Sequence, residues 1–125
     1  MASKGKKLPK ALGHLEEAIR QYRSSKSDLN FLTLVKAFEI AMEYAWRELK
    51  KLVEEEGLDA PAPRSAIKEA ARLKLIPDPE SWLLCLEARN NSVHDYFGIS
   101  EAEFSELAER LVSLVKRSRL NPTLP

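Results

Sequence analysis

The chain has 125 residues, which is enough for one domain with a single hydrophobic core. The chain has 20 basic and 19 acidic residues, so its net charge is +1 and no global basic field attracts nucleic acid. Any contact with RNA must therefore be local. The single cysteine cannot form a disulfide within one monomer, and no apolar run approaches the roughly 18 residues of a membrane span. The opening MASKGKK leads into no apolar signal region, so a reducing cytoplasm is the expected location.

Apolar residues recur three or four positions apart along most of the chain, which predicts helices. The first helix follows the apolar spacing from Leu8 to Tyr22. The second is predicted to begin at a capping Asp28 and to end at Gly57, a residue type that favours the position after a helix.

Proline and polar residues mark the bounds of the remaining helices. A third helix is predicted from Pro63 to Leu75. A fourth has Asp78 as its cap and Pro79 as its first residue, and Gly98 offers it a stop.

Ser100 and Glu103 form the capping box of a fifth helix, which Asn121 and Pro122 are expected to end. No alternation typical of strands occurs in the sequence. These elements predict an all-α bundle of about five helices. The expected organisation is a flexible basic tail over residues 1–7, one helical domain over 8–120 and a C-terminal tail over 121–125.

Three aromatic or sulfur-containing side chains on apolar helix faces are expected in the core. They are Cys85, Trp46 and Trp82. For the two tryptophans, stacking on a nucleobase is the alternative. The basic run KGKKLPK is expected to be solvated, with weak attraction to RNA or a partner as the alternative.

One of the two histidines lies in EARNNSVHDYFG, residues 87–98, five positions after an arginine. If the fourth helix continues through His94, Asn90 and His94 share one face. Arg89 and His94 then differ by about 140° around the helix axis and flank a surface. Each protomer offers only half a site on this interpretation, and a symmetric dimer would complete it.

A structural interpretation of the same residues stays open. A histidine in the last turn of a helix is stabilised by the macrodipole. Arg89 could pair with Glu87 or Asp95 on the surface and contribute little. Spacing alone favours this interpretation. Other chemistries lack their motifs, because the chain has no metal-ligand spacing, no Gly-rich phosphate loop and no group to orient Ser92 as a nucleophile beside His94.

Three blocks of sequence, between residue 31 and about residue 120, follow one another in a recognisable order. They are FEIAMEYAWRELKKLVEEEG, PRSAIKEAARLKLIPDPESW and EARNNSVHDY. These blocks resemble the HEPN-domain proteins, and most of all the nucleotidyltransferase substrate-binding group, the HepT-like partners of minimal nucleotidyltransferases. The resemblance implies an antiparallel helical bundle that dimerises with its R-x4-6-H motifs facing each other. It also implies a cognate nucleotidyltransferase as a partner.

The resemblance assigns roles to matched positions. Arg89 and His94 become the catalytic pair of a ribonuclease that needs no metal ion or cofactor, and Asn90 becomes a supporting polar residue. Tyr96 matches the tyrosine that the partner modifies with AMP in HepT-like toxins. The chain departs from the family at Ala62, where a capping Ser is common, and at NNSV before the histidine, which leaves the substrate preference open.

The expected function is that of a toxin-like endoribonuclease in a toxin–antitoxin pair, silenced by AMP transfer. Histidine titrates near neutral pH and can exchange the proton, while arginine can hold phosphate oxygens. The alternative is a non-catalytic subunit whose cleft binds a nucleotide or substrate for the nucleotidyltransferase. A purely structural helical adaptor is the third possibility.

Overall fold

The computed structural model describes residues 7–94, 100–118 and 120, without the side chains of residues 93 and 94. It contains five helices: α1 (Lys7–Ser24), α2 (Asp28–Glu55), α3 (Pro63–Arg72), α4 (Pro79–His94) and α5 (Glu101–Lys116). No strand occurs within these described ranges. The predicted all-α bundle is confirmed. None of the helices described is long and apolar enough to cross a membrane.

The longest helix, α2, lies at the centre of the bundle and packs against each of the other four. Its core face meets α5 through three fully buried phenylalanines, Phe31, Phe38 and Phe104. The rings of Phe38 and Phe104 lie edge to face, with centroids 4.8 Å apart. This packing fixes α2 as the scaffold on which the other helices are placed.

Removing one of these rings should destabilise the fold strongly. Phe104→Ala is expected to lower the free energy of unfolding by about 3–5 kcal/mol, because a large cavity opens between α2 and α5. Leu29→Ala is the control, since Leu29 is 72% exposed and its loss should cost less than about 0.5 kcal/mol. Chemical denaturation measures both. Equal stability losses in the two variants would contradict this account of the core.

Several predicted helix ends are confirmed by their hydrogen bonds. Gly57 adopts a φ of 88°, the left-handed conformation that ends α2. Asp78 accepts a hydrogen bond from the backbone N–H of Ser81 at 3.2 Å, at the start of α4. Ser100 accepts one from the N–H of Glu103 at 3.4 Å, at the start of α5. Polar residues therefore set these helix starts, as the sequence indicated.

The N-cap of α2 differs from the prediction, whereas α3 lacks a side-chain cap at Ala62 as the sequence indicated. Ser27, not Asp28, is the N-cap of α2, and it accepts from the N–H of Asn30 at 3.1 Å. Asp28 is the first helical residue, where its carboxylate interacts favourably with the positive end of the helix dipole. The methyl side chain of Ala62 cannot accept a hydrogen bond and so cannot cap α3. Instead, Oγ of Ser65 accepts a hydrogen bond from the backbone N–H of Ala62 at 3.1 Å.

Two helices end earlier than predicted. The third helix stops at Arg72 rather than Leu75, because Lys74 adopts a φ of 62° that a right-handed helix cannot continue. The fifth helix ends at Lys116, where Arg117 is the C-cap. The predicted stop at residues 121–122 lies outside the described residues.

Two of the three predicted core residues are fully buried. These are Trp82 and Cys85. Burial raises the pKa of the Cys85 thiol to about 12, so the group stays protonated at neutral pH. Trp46 packs against the core but is only partly buried, and its indole N–H donates to Glu43 at 3.2 Å. The core prediction for Trp46 is therefore only partly correct.

Candidate functional site

The last turns of α4 carry the R-x4-H segment. The helix continues through residue 94, so Asn90 and His94 lie one turn apart as predicted. The structure describes the side chains of Arg89 and Asn90 and the backbone of His94. The side chain of His94 and the whole of Tyr96 lie outside the described residues. Their predicted roles therefore stay predictions.

Arg89 is held from the neighbouring helix α2. Its Nη2 donates to Oε1 of Glu43 in an ion pair, and its Nη1 donates to Oδ1 of Asn90 at 3.2 Å. The Arg89 side chain is 25% exposed, so the guanidinium lies at the edge of the bundle rather than inside it. The sequence suggested Glu87 or Asp95 as its partner. The partner that the structure shows is Glu43, 46 residues earlier in the chain, and Asp95 lies outside the described residues.

Glu43 accepts hydrogen bonds on both of its carboxylate oxygens. Arg89 and the indole N–H of Trp46 donate to Oε1, the latter at 3.2 Å. Arg47 donates to Oε2 at 2.7 Å. One carboxylate thus joins two guanidiniums, one from α2 and one from α4. The pair of arginines lies around a single anion, and this arrangement could not be predicted from the R-x4-H spacing.

A second carboxylate, one turn earlier on α2, holds the middle of the same segment. Oγ of Ser92 donates to Oε2 of Glu39 at 2.7 Å and lies 2.9 Å from the carbonyl oxygen of Arg89. Ser92 is fully buried. A buried hydroxyl bonded to a carboxylate is well suited to anchoring a helix. Glu39 and Ser92 therefore fix this part of α4 against α2.

An open recess borders these contacts on the α2 side. It has a volume of about 290 Å³ and is lined by Lys36, Glu39, Ile40, Glu43, Tyr44 and Arg89. Nζ of Lys7, the first described residue, lies 6.0 Å from the centroid of the Tyr44 ring. The recess combines two cations, Lys36 and Arg89, with two carboxylates and a partly exposed aromatic ring. Guanidinium and aromatic side chains are groups that contact phosphates and planar bases in other proteins.

The opposite side of α4 faces a groove shared with α5. This groove has a volume of about 340 Å³ and is lined by Leu84, Glu87, Ala88, Asn91, Glu103, Glu106, Leu107 and Arg110. Leu84, in this groove, is 46% exposed. The helix that carries the motif therefore presents a partly apolar outer face.

No cluster of three or more potential metal ligands among His, Cys, Asp and Glu occurs in the described part of the chain. Comparison with curated proteins finds no match for the chain. A family model, described as nucleotidyltransferase substrate binding protein like, matches residues 4–117. That match includes all five helices and agrees with the resemblance seen in the sequence. The chain belongs to the nucleotidyltransferase substrate binding protein like family.

Proposed function

We propose that the protein is a HEPN toxin-like endoribonuclease, silenced by AMP transfer from a cognate minimal nucleotidyltransferase. The observation that carries this proposal is the placement of Arg89. Its guanidinium lies at the edge of an open recess, oriented by Glu43 and Asn90, and belongs to an R-x4-H segment that continues α4. A guanidinium oriented in this way can bind two oxygens of a phosphate.

The proposed reaction uses the substrate's own nucleophile. The ribose 2′-oxygen attacks the adjacent phosphorus, and His94 of one copy takes the hydroxyl proton. Arg89 stabilises the charge that develops on the non-bridging oxygens. The bond from phosphorus to the 5′-oxygen breaks, and His94 of a second copy supplies the proton to that leaving oxygen. The products are a 2′,3′-cyclic phosphate and a 5′-hydroxyl, without a metal ion.

A homodimer would assemble this site from two half-sites. Leu84, Glu87 and Asn91 lie on the outer face of α4, and the helical repeat places position 94 on the same side. The interface is proposed on this face because Leu84, which is 46% exposed, and position 94 both lie there. Two α4 helices packed through this face would bring the two copies of position 94 together, while each Arg89 stays on the α2 side of its own helix.

This assembly predicts a dimer that one substitution can break. Wild-type protein should be dimeric at micromolar concentration by light scattering, and Leu84→Asp should be monomeric, because a carboxylate would be buried at the interface. Leu29→Asp on α2 is the matched control, since Leu29 is more exposed than Leu84 and should leave the dimer intact. A monomeric wild-type protein, or a dimer that tolerates Leu84→Asp, would contradict the proposed interface.

A nucleotidyltransferase partner is inferred from the family. The family is described by likeness to proteins that bind substrate for nucleotidyltransferases. In the proposed pair, the partner transfers AMP to Tyr96, two residues after the motif histidine. The added phosphate is a bulky anion that would neutralise the field of Arg89 and obstruct the cleft.

The family description itself favours a second candidate, a non-catalytic subunit that binds nucleotide or substrate for the partner enzyme. In that case Arg89 is only a phosphate anchor. Incubating purified protein with RNA in the presence of EDTA separates the two functions. Cleavage that depends on Arg89 supports the ribonuclease. Intact RNA, together with nucleotide binding that Arg89→Ala weakens, identifies the binding subunit and overturns the ribonuclease.

A further inference from the structure

We propose that Glu43 occupies an anion-binding site between Arg47 and Arg89, and that a phosphate group of RNA or of a nucleotide displaces it. Glu43 is then a positioning residue that orients Arg89 until the ligand arrives. Arg47 becomes the second arginine that contacts the phosphate. The inference rests on the proposed function, in which Arg89 binds phosphate, and it adds to that function the identity of the second phosphate contact.

The hydrogen bonds of Glu43 carry the inference. Arg89 and Trp46 donate to one carboxylate oxygen, and Arg47 donates to the other. These donors come from two helices and converge on one negatively charged group. A phosphate offers the same kind of acceptor with more oxygens and more charge, and guanidinium groups bind it readily. The space between the two arginines is therefore already arranged for an anion.

The two carboxylates of α2 differ in how firmly they are held. Glu39 is bonded to the fully buried Ser92, so α4 stays anchored through that contact. Glu43 is 27% exposed and Arg47 is 62% exposed, and both lie at the open side of the bundle. Glu43 can thus turn away into solvent without opening the core. Glu39 holds the helix in place while Arg89 changes its partner.

Neutralising Glu43 should separate binding from catalysis. In Glu43→Gln the arginines lose a competing charge, so the dissociation constant for a phosphate-bearing ligand should fall by about tenfold. The KM for RNA should fall with it, whereas kcat should not rise, because in the complex with RNA the phosphate has already displaced Glu43 from Arg89. Arg47→Ala should weaken binding. Glu48→Gln is the matched control, since Glu48 pairs with Lys51 on the same helix and does not line the recess.

Trp46 gives a direct readout of the exchange in wild-type protein. Its indole N–H donates to the same Glu43 oxygen as Arg89, so displacement of Glu43 breaks that bond and should change the indole fluorescence. Trp82 is fully buried and should contribute a constant background. Trp46→Phe should abolish the change while the protein still binds. The probes are AMP and a 2′-deoxy oligonucleotide, which the proposed ribonuclease cannot cut.

The experiment measures both probes by fluorescence and by an independent binding assay, for wild type and each variant. A Trp46 signal that saturates together with binding, and tighter binding in Glu43→Gln, support the exchange. If Arg89→Ala weakens binding but wild-type Trp46 emission does not respond, or Glu43→Gln binds no more tightly, the exchange is wrong and the proposed function stands. If Arg89→Ala leaves binding unchanged, Arg89 is not a phosphate site and the proposed function fails with it.

Discussion

Arg89→Ala and His94→Ala should each lose RNA cleavage by at least about 100-fold, the range expected when a general base or a charge-stabilising group is removed. Arg89→Lys should recover little of the activity. An ammonium supplies one point charge and cannot reproduce the planar fork that bonds two phosphate oxygens. Arg89 bonds Glu43 and Asn90 through two separate nitrogens, and a lysine has only one side-chain nitrogen for both contacts.

Single-turnover cleavage of a short RNA in EDTA measures this loss, with thermal unfolding measured alongside. Arg20→Ala is the control, because Arg20 is an exposed arginine on α1 that pairs with Glu17 away from the recess. This variant should keep wild-type activity. The assignment would be wrong if Arg89→Ala cut RNA at the wild-type rate. It would be equally wrong if activity were lost only in proportion to unfolded protein.

Tyr96→Phe should remain toxic and become resistant to silencing by the cognate nucleotidyltransferase. In the proposed transfer, the tyrosine oxygen attacks the α-phosphorus of ATP, and pyrophosphate leaves. Phenylalanine keeps the ring but has no acceptor oxygen, so the ribonuclease survives and its regulation does not. The partner enzyme, ATP and Mg²⁺ should therefore add one or more AMP units to wild-type protein and none to the variant.

Intact-protein mass spectrometry measures the adduct, and growth after induction measures toxicity. Tyr44→Phe is the matched control, because Tyr44 is partly exposed in the recess and should not be the acceptor. Tyr22 is excluded as the acceptor since it is buried and donates to Glu101 at 2.6 Å. An adduct that persists in Tyr96→Phe, or its absence from wild-type protein, would overturn the proposed regulation.

Helix positions were predictable because each depends on local sequence. The apolar spacing along α2 follows from residues such as Phe38 and Met42, which are three or four positions from their core neighbours. The caps at Asp78 and Ser100 act within one turn. The errors were also local. Ser27 and Asp28 are both good capping residues, and only the backbone conformation shows which one caps.

The contacts of Arg89 could not be predicted in the same way. Glu43 is 46 residues distant, and the sequence does not state which face of α2 receives α4. One feature of the sequence did indicate contacts between α2 and another helix. Glu39 and Glu43 lie four positions apart, beside the core residues Phe38 and Met42, where a fully solvated pair of acids is not expected. Two carboxylates at the margin of a core face indicate partners on the helix that packs there.

Glu43 is common to the ribonuclease and the binding-subunit proposals. Both functions need a phosphate at Arg89, and in both Glu43 pairs with the guanidinium until that phosphate arrives. Binding data alone would therefore not separate them. To distinguish the ribonuclease from the binding subunit, one must measure whether RNA is cleaved and which chemical groups the cleaved ends carry.

Cleavage of a DNA oligonucleotide that contains one ribonucleotide tests the central claim most directly. In EDTA, the wild-type protein should cut only after that ribonucleotide, and mass spectrometry should find a 2′,3′-cyclic phosphate and a 5′-hydroxyl. The all-DNA version should stay intact, since it lacks the 2′-oxygen, and Arg89→Ala should leave both intact. Failure of the dimeric wild-type protein to cut, or products that carry a 3′-hydroxyl and a 5′-phosphate, would contradict the proposed ribonuclease.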